Sequence, residues 1–415
     1  MTLREYIEDE IRSGGPMPFS RYMELCLYGV PGASDPALRG YYTREREQFG
    51  KSGDFYTSSD VHAVFGRLLA RQFEQMWRSL GSPTRLDLIE LGPGRGLFAQ
   101  DVLDWSDKKF PEFAQALHYT LVETSPTLRI RLQERFAERI AAGKIQVCDD
   151  VQEVAGFRSP DRQITRSPDQ FTEAPRTGAP HLPVFARCGS DFIVFANEFF
   201  DALPVEVVAQ EGSLRVTLDG SRFAETFAPA SPAELAFLDR YSVHPEPGER
   251  VEATLAALDY LRRIAAALPE GARGYLVLID YGYLREEQLA GRHRGTVMAM
   301  RRHAVSNTPY EAPGEQDITA HVNFTALSEV ARECGLEKLG LVTQSQFLMG
   351  IGEPNQFADA FEDCRLPQEH AKVALQLKHL ATPVGLGDTF QVLVLGKGIA
   401  KEKAAALSGL TFDRS

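Results

Sequence analysis

The stretch "RLDLIELGPGRGLFAQDVLDWS", residues 85–106, constrains the fold more than any other. A short apolar run ends at Leu91, glycines follow at 92, 94 and 96, and an amphipathic run begins at Leu97. That order is a buried strand, a turn without side chains and a helix, so the turn is shaped for close approach by a ligand. The pattern repeats downstream. "HYTLVETS" reads as a strand, "SPTLRIRLQERFAERIAAG" as a helix with Ser125 as N-cap and Pro126 in its first turn, and "KIQVCDD" as a strand. "DFIVFANEFF", "GYLVLIDYG", "LEKLGLVTQ" and "DTFQVLVLGKG" bring the strand candidates to seven. The expected fold class is α/β: a Rossmann-like, mostly parallel seven-stranded sheet with helices on both faces, its last two strands an antiparallel edge pair.

The segments outside this alternation set the expected organisation. Residues 1–60 read as an N-terminal helical segment and lid, opened by a Thr2/Glu5 capping box with Leu3, Tyr6, Ile7 and Ile11 on one face. The sheet domain spans 61–204 and 272–398, and 399–415 is a tail. Within it, 155–187 is rich in Pro, Ser, Thr and charge and reads as an exposed insertion. Residues 205–271 read as an inserted hairpin punctuated by Gly212 and Gly220, with helices near 231–240 and 250–268. A further insertion covers 283–324. The insertions after the fourth and fifth strands leave from strand ends, where open α/β sheets bind ligands.

Composition narrows the functional classes. A formal net charge of −12 argues against an extended nucleic-acid groove, which needs a basic face. Five cysteines without a C-x-x-C pair suggest free thiols rather than a zinc site or a disulfide framework. The acidic start, "MTLREYIEDEIRSGG", lacks the features of a signal or transit peptide, and no apolar run approaches the roughly 18 residues of a membrane span. The expectation is a soluble cytoplasmic protein without membrane insertion.

The glycine spacing then selects among ligands. Leu97-Phe98 stands where a Walker loop needs Lys-Ser/Thr, and Leu97 where a dinucleotide fingerprint needs its third glycine. "ELGPGRG" instead resembles the first motif of class I S-adenosylmethionine-dependent methyltransferases, with Glu90 suited to the cofactor's α-ammonium group. Glu123, ending the second strand, is placed either to accept from ribose hydroxyls or to cap the next helix. Asp149 and Asp150 either reach the adenine or cap a turn. The ordered set "GDFYTS" (53–58), "ELGPGRG", "LVETSPTLR", "NEFFDALP", "IDYG", "DITAHVNF" and "FLMGIG" resembles the MidA family over nearly the whole chain. The resemblance implies a class I methyltransferase fold and S-adenosyl-L-methionine as cofactor. It further implies an arginine-bearing protein substrate, since the family includes a mitochondrial complex I assembly factor that makes symmetric dimethylarginine. By the same resemblance Gly92, Gly94, Gly96 and Glu123 hold the cofactor, with Gly53, Asp54 and Phe55 closing over it.

The chemistry is expected at the fourth strand. A guanidinium stays protonated, its pKa being above about 12, so a site must bind the cation and let a proton leave. "NEFFDALP" supplies Glu198 for a fork-like pair with the guanidinium, with Asp201 or Asp280 orienting or assisting; Asp201 reads alternatively as a helix cap. Asn197 is read as a cofactor contact, and His321 as a proton acceptor or substrate contact. Asp317 and His321 lack a third ligand at recognisable spacing, so no metal is expected. Two other classes stay open: a non-catalytic assembly protein retaining this fold, and, disfavoured by Leu97, an NAD-dependent oxidoreductase.

Overall fold

The computed structural model describes residues 1–33, 35–44, 63–150, 191–288, 293–301, 304–306, 308–382 and 386–412. "GDFYTS", with Gly53, Asp54 and Phe55, and the insertion 155–187 lie outside the described residues.

All seven strand candidates join one sheet. They are β1 (Leu86–Leu91), β2 (Leu117–Val122), β3 (Ile145–Cys148), β4 (Asp191–Asn197), β5 (Arg273–Tyr283), β6 (Glu337–Thr343) and β7 (Phe390–Lys397), ordered β6-β7-β5-β4-β1-β2-β3. From β3 across to β5 every pairing is parallel. β7 runs antiparallel to both β5 and β6. The expected antiparallel edge pair is present: β6 and β7 pair at one end of the sheet, with β6 outermost and β7 against β5.

Helices cover both faces, which is why β1 is buried along its whole length. On one face α3 (Ala63–Ser79) and α4 (Leu97–Lys109) pack against the sheet, and Phe98 stacks on Phe195 at 4.4 Å between ring centroids. On the other face lie α6 (Leu255–Ala267) and α7 (Phe324–Glu333). Following β2, α5 (Pro126–Arg135) has the Ser125 cap expected of it. None of the described helices is long and apolar enough to cross a membrane.

A second sheet unites segments that the sequence reading kept apart. Met17–Pro18 pairs with Gly212–Asp219, which also pairs with Arg222–Ala228 and Glu206–Ala209; the last pairs with Arg250–Ala253. Helices α1 (Leu3–Gly14) and α2 (Phe19–Tyr28) bury Leu3, Ile7, Tyr22 and Leu25 with Leu214 and Val216 of this sheet. The described part of the N-terminal segment is thus anchored in the core of the 205–271 insert. The helix expected over 250–268 is corrected. Residues 250–253 are strand, since Arg250–Ala253 finds a partner edge at Glu206–Ala209, and the helix starts at Leu255.

Phe195 is 1% exposed and touches both α3 and α4 through Phe73 and Phe98. Phe195→Ala is expected to cost about 3–5 kcal/mol, read as a lower midpoint in thermal or denaturant unfolding.

Candidate active site

The sheet order reverses between β1 and β4, and the cleft outside their carboxyl ends is where this architecture binds ligands. Gly92, Gly94 and Gly96 form the turn there, with φ of 64°, 52° and 73°, and Gly96 caps α4 in the left-handed region. A Cβ on Gly92 would come within 2.9 Å of the Phe199 ring, and one on Gly96 within 2.6 Å of Leu132. The amide of Gly92 donates to the Val122 carbonyl and that of Gly96 to the Pro93 carbonyl. Those two amides close the turn, and the absence of side chains lets Phe199 pack on Gly92 and Leu132 and Phe136 on Gly96.

Two acids flank the turn. Glu90, at the end of β1, is 5% exposed and accepts a hydrogen bond from the Tyr119 hydroxyl at 2.8 Å. Burial pushes it up to about 8, against the pull of that hydroxyl. Glu123 accepts from the Ser125 amide at 2.8 Å, and the Gly94 amide also holds its carboxylate. Burial pushes it up to about 7, while those backbone donors and Arg129 pull it down. One side chain therefore ties the end of β2 both to the glycine turn and to the start of α5. Arg129 fixes the same corner by donating to the carbonyls of Glu123 and Thr124.

The other cofactor candidates divide. Asn197 ends β4, and its Nδ2 donates to Glu198 Oε1 at 3.0 Å; its Oδ1 is buried without a hydrogen-bond partner. A buried acceptor of that kind suits a donor on a ligand. Asp149 stands half-exposed with Arg129 4.0 Å away. Asp150 accepts from Arg263 through both oxygens at 2.6 Å, so it serves an ion pair with α6.

On the far side of Asn197 the carboxylates crowd together. Glu198 has φ of 51°, a left-handed conformation that costs a residue with a side chain roughly 1 kcal/mol or more. Asp280 on β5 holds this turn. Its Oδ2 accepts from the amides of Phe199, Phe200 and Asp201 at 2.9–3.2 Å, and its Oδ1 from that of Tyr281 at 2.8 Å. Burial raises it to about 7 although all four donors oppose the shift. Asp201 is held well above the usual carboxylate range, first by burial and then by Asp280, Asp317 and Glu198. The same four acids surround Tyr281, whose ring packs on Phe390 at 4.0 Å and lies parallel to His321 at 6.4 Å. Burial lowers His321, which keeps it neutral. Asp317 and His321 do not share a helix face, because Asp317–Thr319 is a strand.

The sequence reading missed the hydroxyls behind these acids. Tyr42 donates to Asp317 Oδ1 at 2.7 Å, Tyr28 to the Ala202 carbonyl at 3.0 Å, and Tyr119 to Glu90. The aromatic run Tyr41-Tyr42 was a visible signal; nothing marked Tyr119. Among the described residues no cluster of three or more His, Cys, Asp or Glu is placed to hold a metal ion.

Comparison with known proteins gives this geometry a context. Residues 68–342 match a family described as S-adenosyl-L-methionine-dependent methyltransferase. The Drosophila melanogaster protein arginine methyltransferase NDUFAF7 homolog, mitochondrial, is 28% identical over 410 residues, covering 96% of this chain and 85% of that one. Its Homo sapiens counterpart is 27% identical, covering 93% and 81%. A crystal structure from Burkholderia thailandensis bound to S-adenosyl-homocysteine superposes with a TM-score of 0.75 at 27% identity, covering 97% of this chain and 94% of that one.

Two outcomes are expected. Glu123→Ala weakens S-adenosyl-L-methionine about 10-fold in calorimetry, as loss of a charged hydrogen-bond acceptor should. With Glu90 near 8 and Glu123 near 7, both are partly protonated at pH 7 in the free protein. A cationic, hydroxyl-bearing ligand favours their ionised forms, so binding at pH 7 releases protons and tightens as pH rises toward 8. Equal binding enthalpies in buffers of different ionisation heat would contradict this.

Proposed function

Because the chain belongs to the family of S-adenosyl-L-methionine-dependent methyltransferases, we propose that the group it methylates is the guanidinium of an arginine in a protein. The observation that carries this reading is the acidic cluster of Glu198, Asp201 and Asp317 beside Asn197, in which burial and the neighbouring acids hold Asp201 well above its usual range until a cation arrives. The names of the NDUFAF7 relatives support it. The acceptor implied by the family resemblance, a respiratory complex I subunit, belongs to the same proposal.

The turn fits the cofactor, since the cradle at Gly92 and Gly96 excludes any side chain and Asn197 Oδ1 lacks a partner. Glu90, Gly94, Glu123 and Asn197 would hold it. S-adenosyl-L-methionine, when bound, supplies an electrophilic methyl group on a sulfonium. Glu198 takes two guanidinium N–H groups in a fork and presents the remaining nitrogen. Asp201 accepts the proton that this nitrogen gives up, a role suited to an acid held well above its usual range. Asp280 touches no substrate. Its four backbone bonds fix the turn that carries Glu198 and Asp201, so it positions them.

No observation favours the non-catalytic assembly reading. The intact glycine turn, Glu123 and Glu198 all serve a transferase. Glu198→Gln keeps the shape and removes the charge. It is expected to lower arginine methylation roughly 100-fold or more while leaving S-adenosyl-L-methionine affinity within about 3-fold. Tritiated methyl transfer onto a protein extract, followed by amino-acid analysis, reads both the loss and the residue modified. Label appearing on lysine or a carboxylate instead would sink the arginine assignment.

A further inference from the structure

The N-terminal segment meets the acidic cluster at two points. The Tyr42 hydroxyl donates to Asp317 Oδ1 at 2.7 Å, and the Tyr28 hydroxyl to the carbonyl of Ala202, next to Asp201, at 3.0 Å. The two rings pack together with centroids 5.9 Å apart, and Tyr41 meets Tyr42 edge-on at 5.2 Å. Asp317 itself is 5% exposed and comes from the small sheet in which Asp317–Thr319 pairs with Met298–Arg301. The amide of Ala320, just beyond that strand, donates to the Asp201 carbonyl at 3.0 Å, which fixes the strand against the turn of Glu198 and Asp201.

A guanidinium presents five N–H donors in a flat fork, and a donor left without an acceptor in a buried pocket is costly. Glu198 satisfies one edge only. Building on the arginine reading above, we propose that Asp317 binds a second edge of the guanidinium and that Tyr42 is its positioning residue, so that the pair selects arginine over lysine. The Ala320–Asp201 bond seats the Asp317 strand on the turn of Glu198, and both carboxylates act electrostatically on Asp201 and the Tyr281 hydroxyl, so they belong to one acidic cluster. With two edges held, four of the five N–H groups are taken, and the fifth marks the nitrogen that faces the methyl group. An ammonium is a point charge with three rotatable donors and matches two carboxylates set for a planar fork less well. Tyr42 supplies that angle: its hydroxyl occupies one oxygen of Asp317, and its ring is clamped by Tyr28 and Tyr41.

The test uses the full-length protein saturated with S-adenosyl-homocysteine and titrates Nα-acetyl-arginine amide, with the lysine and citrulline analogues beside it. The wild type is expected to prefer arginine to both. Asp317→Asn should weaken arginine roughly 10-fold or more, and Tyr42→Phe about 3- to 10-fold. Both variants should lower the arginine-to-lysine ratio and leave S-adenosyl-homocysteine affinity unchanged. A purely structural Tyr42 would move the S-adenosyl-homocysteine affinity or the unfolding midpoint and leave the ratio alone, which overturns the proposal. Arginine binding untouched in both variants overturns it as well, while leaving the arginine reading standing. If the wild type binds S-adenosyl-homocysteine but not arginine, the arginine reading falls and takes this pair with it. Should Asp317→Asn fail to fold, Tyr42→Phe decides alone, since it removes a single hydroxyl.

Discussion

The site depends on one carboxylate that a substrate need never meet. Asp280 gathers the amides of four residues, three of them consecutive in the turn after β4. Consecutive backbone N–H groups make an anion nest, and here the anion is a side chain of the neighbouring strand. This bond set joins β4 to β5 beyond their ladder, holds Glu198 in its left-handed conformation, and keeps Asp201 within the influence of Asp317 and Glu198. Remove the nest and the acids have no common geometry. The glycine turn on the other side of Asn197 is organised in the same way, with Glu123 taking backbone amides at the junction of β2 and α5. The two halves of the candidate site are thus each fixed by a buried acid that spans two elements.

Much of the frame was legible because its signals are local. A strand, a glycine turn and a capped helix announce themselves within about twenty residues, and Ser125 sits where the chain pattern places it. All seven main strands were visible as apolar runs. Beyond the antiparallel edge pair their order was not, since a run of apolar residues says nothing about which neighbour it will hydrogen-bond. The strand at Arg250–Ala253 was read as helix because "RVEATLAALDYL" keeps an apolar period close to 3.6 across the boundary; only the distant edge at Glu206–Ala209 decides it.

The site residues were legible in the same uneven way. Glu90, Glu123, Asn197 and Glu198 stand at strand ends, where position alone suggests contact with a ligand. Asp280 has that position too, and the nest that uses up its oxygens appears only in three dimensions. Tyr42 and Asp317 are 275 residues apart, and Tyr119 looks like any strand tyrosine until its hydroxyl meets Glu90. Pairings of that kind depend on how the second sheet carries the N-terminal helices back to the main one, a tertiary fact with no local trace.

The placement of β7 has a consequence for biosynthesis. β5 pairs with β7 from Gly274 to Tyr281, yet β7 is not made until Phe390–Lys397 leaves the ribosome. For more than a hundred residues of elongation the carboxyl half of the sheet has an open edge on β5, and β6 has nothing to join. An unpaired apolar edge of that length is a template for wrong pairing. The nascent chain must shelter it, by a chaperone or by delaying collapse, and a ribosome that stalls late in this interval, beyond His321, leaves a product prone to aggregate although the acids of the candidate site have already been translated.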